Sequence, residues 1–148
     1  MSMTIRELVG EDREKYSVNL DRTIRQVIDY MYDGEVRAVA VCDGDKVVGV
    51  FSERDLLRRI VRQGLDLNST KVRDAMTSPA YWISMDERYE VAKAIMVDKR
   101  LGQLVVKDEH HQFRGFVSWR ELLEADLSDS RDLVGKLNDD YYEHRFQP

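Results

Sequence analysis

The stretch VGVFSERDLL, residues 48–57, recurs in altered form as RGFVSWRELL, residues 114–123. Each copy begins with apolar residues around a glycine, which predicts a strand, and continues through a serine into an amphipathic segment, which predicts a helix. The same strand–helix junction therefore occurs twice in one chain. One difference stands out, because Asp55 of the first copy becomes Glu121 in the second.

The repeat extends over almost the whole sequence. A shift of 65 residues aligns VNLDRTIRQVIDYMYDGEVRAVAVCD, residues 18–43, with ISMDERYEVAKAIMVDKRLGQLVVKD, residues 83–108. One inserted residue near the paired histidines raises the shift to 66, and the two serine–helix junctions then coincide. The segment TIRELV near the start also resembles KVRDAM at residues 71–76. Two copies are too few for a solenoid, so we expect a pseudo-symmetric pair.

Each copy predicts the same order of elements, β-α-β-β-α. A β-branched residue, Val18 or Ile83, marks a short first strand, and apolar residues at helical spacing follow it. A Val-rich strand, a turn and a second strand come next, and Ser52 or Ser118 then stands where a helix N-cap belongs. We therefore predict an α/β fold of two pseudo-twofold-related β-α-β-β-α units packed through their sheets.

The repeat also suggests how the chain is divided. Residues 1–65 form the first unit with an N-terminal segment, and residues 66–127 form a linker and the second unit. Residues 128–148 form a C-terminal helix or tail, in which Leu133 and Leu137 share one helical face.

Composition limits the classes of protein to consider. The 148 residues are 43% hydrophobic and 34% charged, with a net charge of -5, which is typical of a folded domain and gives no electrostatic footprint for nucleic acid. The single Cys42 indicates a reducing compartment. No apolar run approaches the roughly 20 residues of a membrane helix, and the N-terminus has no signal-peptide core. We expect a cytoplasmic protein that does not enter a membrane.

These features together resemble the CBS domain, named after cystathionine β-synthase, arranged as a tandem pair or Bateman module. The resemblance rests on the short first strand, the helix that ends in Met, the hydrophobic strands and the S-x-x-D-L-L junction, which occur in the same order twice. The chain looks like the small stand-alone CBS pairs of bacteria and archaea. The resemblance implies a non-catalytic regulatory module that forms a homodimer, binds an adenosine-containing ligand between its units and signals to an unknown protein effector.

The resemblance also implies where the ligand binds. In the family, the Ser/Thr-x-x-Asp junction holds the adenosine, which assigns that role to Ser52 and Asp55 here. The base would lie between the segment around Val18 and the strand around Ala38 and Val39. Physical chemistry agrees, because free N–H groups at a helix start favour anions and one carboxylate can accept both ribose hydroxyls.

The phosphates would meet basic residues that come partly from the opposite copy. Arg120 is then the candidate for the Asp55 site, and Arg54 is the candidate for the second site. Basic residues near the Asp55 motif are sparse, and the four arginines of ERDLLRRIVR are interpreted as a solvated helix face and not as a nucleic-acid site. We therefore expect AMP as the ligand, with S-adenosylmethionine, ATP or NADH as alternatives.

The second site is weaker. It would consist of Ser118, Glu121, Ile83 and Trp119, but Glu is one methylene longer than Asp and the Trp ring would crowd a cleft. The Ser-x-x-acid pattern of both copies also has a purely structural explanation as a capping box. We expect that the first copy keeps the nucleotide contacts and that the second copy has become structural.

Other functions find little support in the sequence. No nucleophile stands beside a candidate base, so we predict that the protein is not an enzyme. His110 and His111 are adjacent in a predicted turn, where their side chains diverge, so we predict no metal site. The alternative that remains open is a ligand-free scaffold that only dimerises.

Overall fold

The computed structural model describes residues 3–128 of the chain. The predicted C-terminal helix, apart from Ser128, lies outside these described residues. The first part of the chain contains α1 (Ile5–Val9), β1 (Ser17–Asn19), α2 (Ile24–Gly34), β2 (Ala38–Asp43), β3 (Lys46–Ser52) and α3 (Glu53–Asp55), which continues as a π-helix (Leu56–Val61). The second part contains a 3₁₀ turn (Val72–Asp74), β4 (Trp82–Ser84), α4 (Tyr89–Lys99), β5 (Gln103–Lys107), β6 (Phe113–Ser118) and α5 (Trp119–Leu127).

The strands form two separate three-stranded sheets with the same topology. In the first sheet β1 pairs parallel with β2, and β2 pairs antiparallel with β3. The second sheet repeats this with β4, β5 and β6. Val18 lies opposite Val41 and Ile83 lies opposite Val106, so the register is also repeated. The predicted α/β fold of two β-α-β-β-α units is confirmed.

Local signals explain where the first long helix begins and ends. Thr23 caps α2 in a capping box with Gln26, and the left-handed conformation of Glu35 ends the helix. Between these points Ile24, Val27 and Met31 recur at helical spacing and are buried. The apolar face that the sequence predicts is therefore the face that packs on the sheet.

Three apolar clusters hold the molecule together. One cluster lies between sheet and helices of the first copy, and a second occupies the same place in the second copy. The third joins the two sheets, since it combines Ala40 and Val47 of the first sheet with Val105 of the second. The units therefore pack through their sheets, as the sequence predicts.

The segments that precede β1 and β4 are exchanged between the copies. Ile5 and Val9 of α1 are buried in the core of the second copy, and Val72 and Ala75 are buried in the core of the first. Backbone hydrogen bonds hold both segments in place. Ile5 N donates to Glu87 O of the second copy, and Val72 N donates to Arg22 O of the first copy, both at 2.8 Å. The N-terminal segment that the sequence groups with the first unit thus completes the core of the second.

Candidate functional site

A cleft of about 510 Å³ opens between the two copies at the start of α3. The first copy contributes Ser52, Asp55 and one side of the helix that they begin. The second copy contributes residues 99–103, from the end of α4 to the start of β5, and Val105 of β5. The strand–helix junction that repeats in the sequence therefore meets the other copy at this cleft.

The carboxylate of Asp55 is buried at the edge of this cleft, with only 5% of the residue exposed. Its Oδ2 accepts hydrogen bonds from Ser52 N at 2.9 Å and from Ser52 Oγ at 3.1 Å, which completes a capping box. The Ser52–Asp55 pair therefore has a structural role as a helix cap. It does not exclude a ligand, because it uses only one of the two carboxylate oxygens.

The other oxygen of Asp55 faces Thr77 and Arg59. Thr77 Oγ1 donates to Oδ1 at 2.7 Å, and Arg59 Nε lies 3.7 Å from the same atom. A carboxylate offers about four lone-pair positions. Three of them receive hydrogen bonds from residues 3–128, so Oδ1 keeps one position with which to accept a hydroxyl from a ligand.

The cleft is strongly basic. Among the described residues that line it, only Glu53 and Asp55 are acidic, whereas six are basic: Arg37, Arg54, Arg58, Arg59, Lys99 and Arg100. Within residues 3–128, four of these basic side chains pair with no carboxylate: Arg37, Arg54, Arg58 and Arg100. On a chain of net charge -5, this concentration of positive charge favours an anionic ligand.

The structure bears on two expectations about basic residues. Arg54, Arg58 and Arg62 of ERDLLRRIVR are exposed, as expected of a solvated helix face, but Arg54 and Arg58 also line the cleft, one helical turn apart. Basic residues are also not sparse around Asp55, since Lys99 and Arg100 arrive from the second copy. The premise from which the sequence favoured AMP over ligands with more phosphates does not hold.

The assignment of arginines to opposite copies stays a prediction, and the structure places both residues differently. Arg54 lines the Asp55 cleft of its own copy and donates from Nη1 to the carbonyl oxygen of Arg100 at 2.9 Å. Arg120 has an 88% exposed side chain and pairs with Glu124 at 3.0 Å. The second copy presents its α4–β5 loop to the cleft, not the first turn of α5, which is why Arg120 does not line it.

The residues expected to enclose the base lie behind the cleft. Val39 is fully buried in the core of the first copy, and Val18 packs against the same core. Ala38 is buried opposite Ser52 in the β2–β3 register. None of the three is among the described residues that line the cleft, so their contact with a base stays a prediction.

The second junction is closed from within the chain. Ser118 and Glu121 form a capping box like that of the first copy, with Ser118 N donating to Oε1 at 3.0 Å. Arg13 then meets Glu121 with both ends of its guanidinium, Nη1 donating to Oε1 at 2.7 Å and Nη2 donating to Oε2. Burial opposes ionisation of Glu121, but the hydrogen bonds from Arg13 and Ser118 outweigh it and hold the pKa of this carboxyl below its ordinary value.

The other residues predicted for the second site belong to the core of that copy. Ile83 is buried there, and Trp119 packs against the same cluster. Trp82 lies outside it, with its ring 4.9 Å from Lys107 Nζ and 5.4 Å from the ring of His111. A binding role for these residues stays a prediction, but their observed contacts are structural.

Sequence reasoning missed the residues that complete both junctions. The spacing of four residues from Asp55 to Arg59 could have indicated a shared helix side. Thr77 and Arg13 gave no such signal, because they are far in sequence from the carboxylates that they contact, and Arg100 is equally far from the cleft residues that it joins. Only the exchange of segments and the packing of the sheets bring them there.

Comparison with known proteins agrees with this architecture. The model of the CBS domain family matches residues 5–62 and 72–128. The chain belongs to the CBS domain family. It carries two CBS domains in tandem, and each match covers one β-α-β-β-α unit with the segment that precedes it.

Related CBS proteins come from bacteria, archaea and plants. The chain is 31% identical to the mitochondrial CBS domain-containing protein CBSX3 of Arabidopsis thaliana, over 80% of this chain and 59% of that protein. A solved CBS protein from Burkholderia ambifaria is 24% identical with a TM-score of 0.80, over 86% of this chain and 96% of the other. A CBS domain protein from Pyrobaculum aerophilum, complexed with AMP, is 26% identical with a TM-score of 0.73, over 80% and 89%.

The chain is shorter than the first three curated relatives that it matches. It spans between 36% and 59% of the length of the first three that it matches. Within residues 3–128, no helix is both long enough and apolar enough to cross a membrane.

Proposed function

We propose that the Asp55 cleft of this tandem CBS pair binds an adenine nucleotide, and that binding regulates a protein partner without catalysis. The observation that carries the proposal is the pairing of a buried carboxylate with a basic cluster in one cleft. Asp55 offers an acceptor for a ribose hydroxyl, and six basic side chains offer donors to phosphate. The AMP complex of the relative from Pyrobaculum aerophilum supports the adenine nucleotide.

Both CBS units hold the proposed ligand. Arg54 and Arg58 lie on the first unit, and Lys99 and Arg100 lie on the second. A phosphate bound among them would favour one relative arrangement of the units over others. Regulation then follows by linkage, because a ligand that prefers one arrangement shifts the population towards it, and a partner that distinguishes arrangements senses the ligand.

AMP is the minimal ligand that fits this proposal. The six basic side chains also support nucleotides with further phosphates, because each added phosphate supplies charge for arginines that pair with no carboxylate among residues 3–128. We therefore place ADP and ATP beside AMP as candidates. S-adenosylmethionine carries no phosphate and NADH is much larger, so we rank both lower.

Thermal unfolding with AMP, ADP, ATP, S-adenosylmethionine and NADH tests the proposal. A ligand at about 100 times its dissociation constant adds roughly 2.7 kcal/mol to the free energy of unfolding, which gives a clear shift of the midpoint. Asp55→Asn should reduce the shift to about half or less, and Asp45→Asn, in the exposed turn between β2 and β3, should preserve it. A shift of equal size in Asp55→Asn would contradict the assignment of the site.

A ligand-free dimerisation scaffold is the second candidate. One observation favours it, since Asp55 already receives three hydrogen bonds without any ligand. Both candidates include a homodimer, which we infer from apolar side chains exposed on the helices, such as Leu57 at 65%, Val61 at 62% and Val97 at 64%. A dimer that binds none of the five nucleotides would favour the scaffold. A cytoplasmic location is part of the proposal and is motivated only by the single cysteine.

A further inference from the structure

We propose that Arg13 is an internal occupant of the second cleft and keeps nucleotide out of it, so that each chain carries one nucleotide site. The inference rests on the proposed function of the Asp55 cleft. It goes beyond it by naming the residue that makes the two CBS units unequal. Arg13 lies between α1, which packs on the second unit, and β1 of the first.

Arg13 takes the place that Thr77 takes in the first cleft. Thr77 exchanges backbone hydrogen bonds of 2.8 and 2.9 Å with Val50 and donates to the carboxylate of Asp55. Phe116 is the repeat counterpart of Val50, and Arg13 Nη1 donates to its carbonyl oxygen at 3.0 Å while also meeting Glu121. A short neutral hydroxyl in one cleft is thus replaced by a long cation in the other.

The guanidinium of Arg13 covers both oxygens of Glu121. Its Oε1 receives Ser118 N at 3.0 Å, Ser118 Oγ at 3.1 Å and Arg13 Nη1 at 2.7 Å, and its Oε2 receives Arg13 Nη2. At Asp55, Oδ1 receives one hydrogen bond, from the neutral hydroxyl of Thr77, and lies 3.7 Å from Arg59 Nε. Arg13 therefore blocks the approach of a ribose hydroxyl to Glu121, whereas Oδ1 of Asp55 keeps a lone-pair position that can accept one.

The backbone is shaped around the Arg13 side chain. Gly115 has a φ of +110°, a backbone conformation that residues with a side chain rarely adopt. A Cβ at this position would lie 3.2 Å from Arg13 Cγ and 3.3 Å from Arg13 Cδ. Arg13 Nε also donates to Val9 O at 3.4 Å. The Arg13 side chain is therefore held in position from Cγ to the guanidinium, as expected if it occupies the cleft permanently.

The second cleft also lacks several basic residues of the first. The repeat pairs Arg58 with Glu124 and Arg59 with Ala125. Arg100 pairs with Glu35, and both residues end their helices in the left-handed conformation, with φ values of 57° and 54°. The backbone is conserved between the units at this point, but the charge is reversed.

Nucleotide stoichiometry tests the inference. Isothermal titration calorimetry with AMP, the adenine nucleotide with fewest phosphates, should give one site per chain for the wild type. Arg13→Ala combined with Glu121→Asp restores the Ser-x-x-Asp pattern without its occupant, and should give two sites. Arg13→Lys keeps a long cation in the cleft and should give one. If thermal unfolding shows that the alanine double variant does not fold, Arg13→Gln combined with Glu121→Asp replaces it in the titration.

The same titrations on an Asp55→Asn background isolate the second cleft. There the wild-type second unit should add no AMP site to the weakened first cleft, and the restored second unit should add one. Two sites in the wild type, or one site in both folded double variants, would overturn the inference and leave the proposed function intact. Binding only in the double variants would support the inference and overturn the proposed function. No binding in any variant would overturn both.

Discussion

Thr77 Oγ1 donates a 2.7 Å hydrogen bond to Oδ1 of Asp55, although the two residues lie 22 positions apart. Thr77 follows the linker between the CBS units, and its backbone pairs with Val50 beside the carboxylate. The hydroxyl thus orients the Asp55 carboxylate from outside the first repeat. Because it is neutral and short, it leaves the cleft open to a ligand.

Replacing Thr77 and replacing Asp55 should have different effects. Thr77→Val removes a donor to a buried carboxylate and should lower the free energy of unfolding by about 1–3 kcal/mol, with nucleotide affinity largely kept. Asp55→Asn should weaken nucleotide binding roughly 10- to 100-fold, because hydrogen bonds to a charged acceptor contribute about 1.5–3 kcal/mol. Urea unfolding and calorimetry measure the two quantities. Equal losses of affinity in both variants would show that Thr77 itself binds the ligand.

Arg54 and Arg120 occupy the same position in the repeat and form a matched pair of test sites. Arg54 lines the cleft and Arg120 does not, so only Arg54→Ala should weaken nucleotide binding. The loss should be larger for ATP than for AMP, because ATP carries more phosphate charge. Arg120→Ala should leave both affinities unchanged. Loss of one phosphate contact by an arginine corresponds to a decrease of about tenfold or more in affinity. A stronger effect in Arg120→Ala would restore the cross-copy assignment made from the sequence.

The Arg13–Glu121 pair should make stability depend on pH in the acidic range. The folded-state pKa of Glu121 lies below its ordinary value of 4.5, so the stabilisation is fully present above that value and is lost as the pH falls through the folded-state pKa. Glu121→Gln should lower the free energy of unfolding at pH 7 by about 1–3 kcal/mol.

Urea unfolding of wild type and Glu121→Gln from neutral to acid pH measures this dependence. The difference between the two proteins should shrink as the pH falls below 4.5. Other carboxyls with lowered pKa values, such as Asp21 and Asp126, affect both proteins equally and cancel in the difference. A difference that stays constant with pH would refute the ion pair.

The exposed apolar residues of the helices predict that dimerisation can be disrupted at the surface. Leu57→Glu combined with Val61→Glu places two charges on the exposed side of the π-helix and should convert the dimer into a monomer of 17.4 kDa. Arg62→Glu, in the next position, controls for the change of charge. Size-exclusion chromatography with light scattering measures the mass. A wild type that is itself monomeric would remove the basis for the proposed homodimer.

The exchanged N-terminal segment should matter for the stability of the second unit. Ile5 is fully buried there, so Ile5→Ala should lower the free energy of unfolding by about 2–5 kcal/mol. Both tryptophans lie in the second unit, which makes their fluorescence a suitable probe. Glu7→Ala, on an exposed position of α1, is the control. An effect of Ile5→Ala no larger than that of Glu7→Ala would mean that α1 contributes little to this core.

The sequence alone was sufficient to predict the repeated architecture. Apolar spacing, the Ser52 and Ser118 caps and the turn residues are local signals, and each specifies an element within about a dozen residues of chain. Because the pattern occurs twice, the pseudo-symmetric pair followed without knowledge of any contact. The capping geometry at Asp55 and Glu121 was predicted for the same reason, since its donor and acceptor lie three residues apart.

Only the tertiary structure decided what each junction faces. Thr77 and Arg13 reach the carboxylates, and Arg100 reaches the Asp55 cleft, because the two sheets pack together and the segments before β1 and β4 are exchanged. Such contacts leave no periodic pattern in a sequence. The substitution of Glu121 for Asp55 suggested that the units differ, but not that an arginine 108 positions away pairs with Glu121. The basic cleft likewise depends on charges from separate segments, whose summed field exists only once the chain is folded.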